Sequence, residues 1–226
     1  MSVSFDKQYV PAAPYDARHA VLRNTYWLLA LSMIPTVLGA AIGVAFHVPI
    51  PSGILGFVVF LAMVWGFTYA IEKTKNSAAG VGVLLAFTFF MGLWLTPLLT
   101  RTLGFSNGAQ LIMLAFGGTG AVLAVMATFA TVTKRDFSAM GKWLAAGTIV
   151  LILASLANYF LQMPVFAIVI SVMAIGIFSA YILYDVQQIV NGGETNYIRA
   201  TLALYIDVYV IFSHLLSLLG LGGSRD

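Results

Sequence analysis

The chain of 226 residues contains no cysteine, and only 8% of its residues are charged. Without a thiol there is no disulfide framework, no thiolate chemistry and no cysteine-ligated metal. A soluble domain carries roughly 25% charged residues, so the shortage of charge excludes an ordinary water-soluble domain. No cluster of Lys and Arg marks a nucleic-acid surface, and the formal net charge is only +3. What is abundant is apolar. Hydrophobic residues make up 61% of the chain and mean hydropathy is +0.96. The implied partner is a lipid bilayer, with room for about seven spans of ~20 residues and almost none for a separate soluble domain.

Apolar runs recur at about residues 23–46, 53–71, 78–99, 109–132, 142–162, 165–189 and 199–220. Each is long enough to cross a membrane as a helix, and none alternates as a membrane β-strand does. The first run is too long for a signal-peptide core and is followed by many more, so it reads as a retained span. Short connections predict one compact bundle: an all-α integral membrane domain of seven helices over residues 22–226, preceded by a loosely ordered polar tail at residues 1–21 that carries Pro11 and Pro14. Small residues at 39–41 and at Gly117, Gly118 and Gly120 suit close helix approach, and Pro35 predicts a kink in the first helix. No internal repeat is apparent, which leaves little support for a small-molecule transporter built from repeated halves.

Lys and Arg are unevenly placed. With the N-terminus inside, nine of them (Lys7, Arg18, Arg23, Lys73, Lys75, Lys134, Arg135, Lys142 and Arg199) fall on the cytoplasmic side, against Arg101 and Arg225 outside. The positive-inside rule then gives a cytoplasmic N-terminus and an external C-terminus.

Residues 179–212 depart most from plain membrane filler. Asp185 and Asp207 lie within apolar stretches on either side of the polar turn at residues 191–196. If both stretches are helices, the turn makes them antiparallel neighbours. At ~1.5 Å per residue the two acids then reach similar depth from the same face. An ionised Asp near a bilayer centre costs ~2.5–3.5 kcal/mol, and such residues mark functional sites. The plain structural alternative is that Asp185 snorkels to the interface and Asp207 hydrogen-bonds a neighbouring hydroxyl.

Retinal chemistry needs a lysine in the last helix, and residues 200–220 contain none. An intramembrane aspartyl protease would use the Tyr184-Asp185 pair, but Asp207 follows Leu204-Tyr205-Ile206 rather than a GxGD motif, and no later Pro-Ala-Leu helix exists. A rhomboid-type dyad for His214 lacks its GxSG serine loop. The expectation is therefore a protein that is not an enzyme and needs no resident cofactor. Two carboxylates with backbone carbonyls and water make a weak, transit-type calcium site at Asp185 and Asp207, short of the six to eight oxygens of a tight cage. Acids this close share a proton and titrate as one unit. The protonated pair is expected to close the bundle at low pH, and its deprotonation to favour a cation-admitting state. His214, seven residues past Asp207, lies on the same helix face and is an accessory candidate. Tyr181, Tyr184, Tyr205 and Tyr209 flank the acids, either as hydrogen-bond donors or, for most of them, as interfacial anchors. Glu194 and Arg199 are expected to form a salt bridge or helix-start contact in the turn. Residues 133–138, TKRDFS, form a charged connector.

These motifs carry a resemblance. HAVLRNTY at residues 19–26, TKRDFS at 133–138, GGETNYIRAT at 192–201 and LLSLLG at 215–220 resemble the Bax inhibitor-1 (transmembrane Bax inhibitor motif) family, and within it the bacterial YccA-like branch. The likeness spans essentially the whole chain, and GGETNYIRAT is its most specific string. It implies a seven-helix bundle with the last helix central. It also implies a pH-sensitive calcium leak governed by an aspartate pair on the sixth and seventh spans, where Asp185 and Asp207 fall. Some members carry a second-span arginine that latches onto the pair, but residues 53–71 contain no basic residue. Members of this branch also look like modulators of a membrane-bound AAA protease, for which the 1–21 tail is the relevant handle. The resemblance implies a bacterial inner-membrane location.

Overall fold

The computed structural model describes residues 15–221. Among them are eight helices: α1 (Tyr15–Ala45), α2 (Gly53–Thr74), α3 (Ala78–Trp94), α4 (Thr96–Leu103), α5 (Gly108–Val132), α6 (Met140–Leu161), α7 (Pro164–Asn191) and α8 (Tyr197–Leu221). Six of these are each long and apolar enough to span a membrane, and α3 with α4, a pair bent by 41°, adds a seventh where the two count as one broken span.

The bend was not anticipated in the run at 78–99, although its cause is in the sequence. Pro97 lacks an N–H and its ring collides with the carbonyl four residues back, which breaks a helix interior. That carbonyl belongs to Leu93. It accepts instead from the Thr96 hydroxyl at 2.6 Å and from the Leu95 N–H, so the break leaves no orphaned acceptor. Pro35 behaves differently, since α1 continues as helix straight through it. At the start of the chain, α1 begins at Tyr15, so residues 15–21 of the expected tail are helical. Ala17, Arg18 and Ala20 in that stretch favour helix, and it contains neither Gly nor Pro. The rest of the tail, with Pro11, Pro14 and Lys7, lies outside the described residues, as does Arg225.

The connections sort to two ends. At one end lie the start of α1, residues 75–77, residues 133–139 and the α7–α8 turn. They are tied by Arg18 Nη1 donating to Val190 O (3.5 Å), Asn196 Nδ2 to Lys75 O (2.9 Å) and Gln187 Nε2 to Arg135 O (2.5 Å). The basic residues gather here, whereas Arg101 stands alone among the described residues at the other end.

Helix α8 is the hub. It packs against α1, α2, α3, α4, α5 and α7, while α6 stands further out and rests mainly on α7. Its buried face includes Leu204, Tyr205, Asp207, Ile211 and Leu216, and the main core gathers Leu84, Phe87, Ile182 and Val186 around it. Large apolar side chains such as Trp65 and Trp143 point outward, as a lipid-facing surface requires.

The most extensive helix contact joins α1 to α3, and glycine permits it. A Cβ added at Gly92 would lie 2.0 Å from Thr36 O, and one at Gly39 would lie 2.1 Å from Phe89 O. Gly39 thus serves the close approach expected of it. Gly117 and Gly120 do not, for each faces open space.

Gly92→Ala forces α1 and α3 apart and is expected to cost about 1–3 kcal/mol, as overpacking does. Thermal unfolding in detergent checks this against Gly66→Ala, whose added methyl meets nothing within 4 Å and which leaves the midpoint unchanged or raised.

Candidate functional site

The α7–α8 turn places the two acids. Gly192 adopts φ +79°, a left-handed conformation that suits glycine and ends α7. Gly193 N and Glu194 N both donate to Gln188 O, at 2.8 and 3.0 Å, and reverse the chain. Asn196 then starts α8: its Oδ1 accepts from the N–H groups of Ile198 (3.0 Å) and Arg199 (3.1 Å), the action of an N-cap. Both ends of the turn are therefore fixed, and α7 and α8 run antiparallel.

In this frame Asp185 and Asp207 are neighbours across α7 and α8. Asp207 is 3% exposed, and its Oδ2 has no hydrogen-bond partner. Asp185 is half-buried and lines a cavity of about 470 Å³ between α2, α7, α8 and the turn. Thr68, Glu72, Tyr184, Gln188, Glu194 and Arg199 line it too. One acid thus touches the cavity, and the other sits one step further into the bundle.

Glu194 and Arg199 form the expected salt bridge, Nε to Oε2 at 3.3 Å, and Glu194 Oε1 also accepts from Thr195 N and Asn196 N. The same guanidinium reaches Glu72 Oε2 at 3.5 Å, and Lys75 pairs with Glu72 from the outer side. Lys73 on α2 is turned elsewhere, its ammonium 4.6 Å from the centre of the Tyr69 ring. The positive charge lining the acids' cavity therefore comes from α8, not α2.

The tyrosines divide. Tyr184 lines the cavity, but among the described residues no tyrosine hydroxyl hydrogen-bonds either carboxyl. Tyr205 is a core residue rather than an interfacial anchor: 1% exposed, its hydroxyl lies 2.8 Å from Thr36 Oγ1 and donates to Thr88 O at 3.4 Å. Tyr209 packs beside it, and Tyr181 accepts from Thr148 Oγ1 on α6 at 3.4 Å. His214 pairs through Nδ1 with Ser171 Oγ (3.1 Å), a tie between α8 and α7 rather than a contact with the acids. Among the described residues no group of three or more His, Cys, Asp or Glu is placed to hold a metal. Two carboxyls offer at most four oxygens, too few for a resident calcium cage.

Two contributors went unread in the sequence. Glu72 closes the α2 end of the charged group, and its only signal was an acid beside the basic residues at 73–75. Gln187 is 3% exposed and clasps the 133–139 loop, accepting from Phe137 N at 2.6 Å and donating to Arg135 O. A buried amide two residues from Asp185 was the available clue. Asp136 closes that loop from within, where donation from the Ser138 N–H and hydroxyl holds its carboxyl below the usual carboxylate range.

Gln187→Leu strips both loop partners of their bonds while keeping the bulk. It is expected to cost about 1–3 kcal/mol, the usual result of leaving buried polar groups unpaired. Thermal unfolding measures that loss, and limited proteolysis should cut first at residues 133–139.

Over nine-tenths or more of its length the chain is similar to known bacterial proteins. The family model described as Inhibitor of apoptosis-promoting Bax1 matches residues 18–225. The protein named Modulator of FtsH protease YccA from Escherichia coli K12 is 39% identical over 208 residues, 92% of each chain. Uncharacterized proteins of Neisseria meningitidis (38% identical, 90% of this chain and 91% of theirs) and Pseudomonas aeruginosa (37%, 91% of each) match over the same extent. With the family model spanning nearly every described residue and such relatives matching over nine-tenths or more of both chains, the chain belongs to the Bax inhibitor-1 family.

Proposed function

We propose that this protein is a pH-responsive cation leak pathway, with calcium as its cargo and Asp185 and Asp207 as the controlling pair. The observation that carries the reading is the position of the pair, at the inner end of a polar cavity in an otherwise apolar bundle. With one proton between them, the two carboxyls hold each other across α7 and α8. Loss of that proton places two negative charges side by side in a low-dielectric interior, which either pushes the helices apart or draws in a cation. Flux therefore rises as pH rises. Calcium is cargo in transit, consistent with too few oxygens for a resident site. The basic end faces the cytoplasm by the positive-inside rule, with the N-terminus in and the C-terminus out. A relative 39% identical to this chain carries the name Inner membrane protein YccA, which supports the same membrane here.

A second reading rests on a separate observation, the name of the Escherichia coli K12 relative as a modulator of FtsH protease. Here the chain acts without catalysis as a binding partner of a membrane-bound AAA protease, presenting residues 1–21 as its handle. The two activities are compatible.

Calcium flux into proteoliposomes from about pH 5 to pH 8 tests the first reading, because a coupled pair gives up its protons as a unit. Flux is expected to increase with pH in the parent and to lose most of its pH dependence in Asp207→Asn. Absence of flux at every pH would remove the leak. Deleting residues 1–14 is expected to spare flux and abolish inhibition of protease turnover in a reconstituted assay. Unchanged inhibition would discard the tail as the handle.

A further inference from the structure

Arg199 stands on the first turn of α8, where the cavity that ends at Asp185 meets solvent. Its guanidinium connects Glu194 in the α7–α8 turn to Glu72 at the end of α2, at 3.3 and 3.5 Å. Three elements that are distant in sequence are thereby tied across one opening. Among the cavity's lining residues Arg199 is the one cation, facing the carboxylates of Glu72, Glu194 and Asp185.

We propose that the Glu72–Arg199–Glu194 strap is the mouth gate of this cavity, passing cations only when the guanidinium is displaced. The inference rests on the reading of the acid pair as a cation pathway and names the regulation of that site. Held in place, the guanidinium neutralises the two outer carboxylates and repels an arriving cation. Without it, only Lys75 on Glu72 still offsets the acids at the mouth, Glu194 and Asp185 are left without a cation, and an acidic cleft with low-dielectric walls concentrates cations. The pairs are suited to opening. The side chains are 47%, 50% and 22% exposed for Arg199, Glu72 and Glu194, so water and salt screen them and they exchange readily. A fully buried pair would be far harder to break. Hard divalent cations prefer carboxylate oxygen, which makes them effective competitors for the two glutamates.

The absence of cysteine supplies a clean test. Ala203→Cys puts a single thiol on the cavity wall of the full-length protein. Its labelling by an ammonium-bearing methanethiosulfonate is compared with that by a neutral analogue. Adding Arg199→Gln is expected to speed the cationic reagent about tenfold or more, the low end of electrostatic focusing, and the neutral one much less. Arg199→Lys, which keeps the charge, stays near the parent. Equal acceleration of both reagents, or of neither, overturns the gate. A second readout needs no change at Arg199. Added salt screens the strap, so cationic labelling of the parent thiol should rise with ionic strength, and a fall overturns the proposal. Calcium flux in proteoliposomes separates the two failures. Faster labelling with no flux at any pH sinks the cation pathway but leaves the strap as gate of a closed-ended cavity. Flux that depends on Asp207, with labelling indifferent to Arg199, sinks the strap alone.

Discussion

The organising constraint is a carboxyl group buried on the most central helix. Asp207 sits at 3% exposure with one oxygen unpartnered, on the helix that touches nearly every other. A bilayer protein can place such a group only where bundle and membrane thickness hide it from lipid and where a partner shares its charge. Asp185 is that partner. Around the pair the structure is arranged in order of depth: Asp207 innermost, Asp185 on the cavity wall, Glu72, Glu194 and Arg199 at the opening. The capped turn at residues 191–196 holds the order, because its length and its two caps set the register of α7 against α8.

Much of this was legible in the sequence, and the reason is physical. Membrane spans announce themselves by length and composition, and two acids on either side of one turn, six residues before it and eleven after it, can be compared in depth by counting residues. Local chemistry was legible in part. Pro97 and Thr96 together specify the break between α3 and α4, but a continuous apolar run conceals it from a reading by hydropathy alone. Long-range pairing was not legible. Nothing in the sequence around Glu72 says that Arg199 will meet it, and nothing near Tyr205 says that its hydroxyl will find Thr36 on α1 rather than an interface. Such contacts depend on how seven spans are set beside one another, which periodicity does not encode.

Family membership and the site bear on each other. This chain has no arginine in its second span and uses the Lys at that helix end to cover a tyrosine ring. Its cation arrives instead from the start of α8, on the same helix as Asp207. The clasp of Gln187 on the 133–139 loop links the other side of α7 to the same end of the molecule. Whatever meets that end, lipid headgroup or protein, therefore meets loops that are hydrogen-bonded to the helix carrying Asp185.

The Tyr205 knot decides which parts of the bundle can turn. Two residues apart on a helix means about 200° around its axis, so Tyr205 and Asp207 face nearly opposite ways. Tyr205 is fastened to Thr36 of α1 and to the Thr88 carbonyl of α3, and α1 and α3 are themselves pressed together at their glycines. Swinging α8 to carry Asp207 towards the cavity would tear that fastening from the most extensive helix contact in the molecule. The last helix is thus the stator. Any rearrangement that separates the two acids therefore has to move α7, whose Ile182 and Val186 share the core with α8 and whose outer side carries α6.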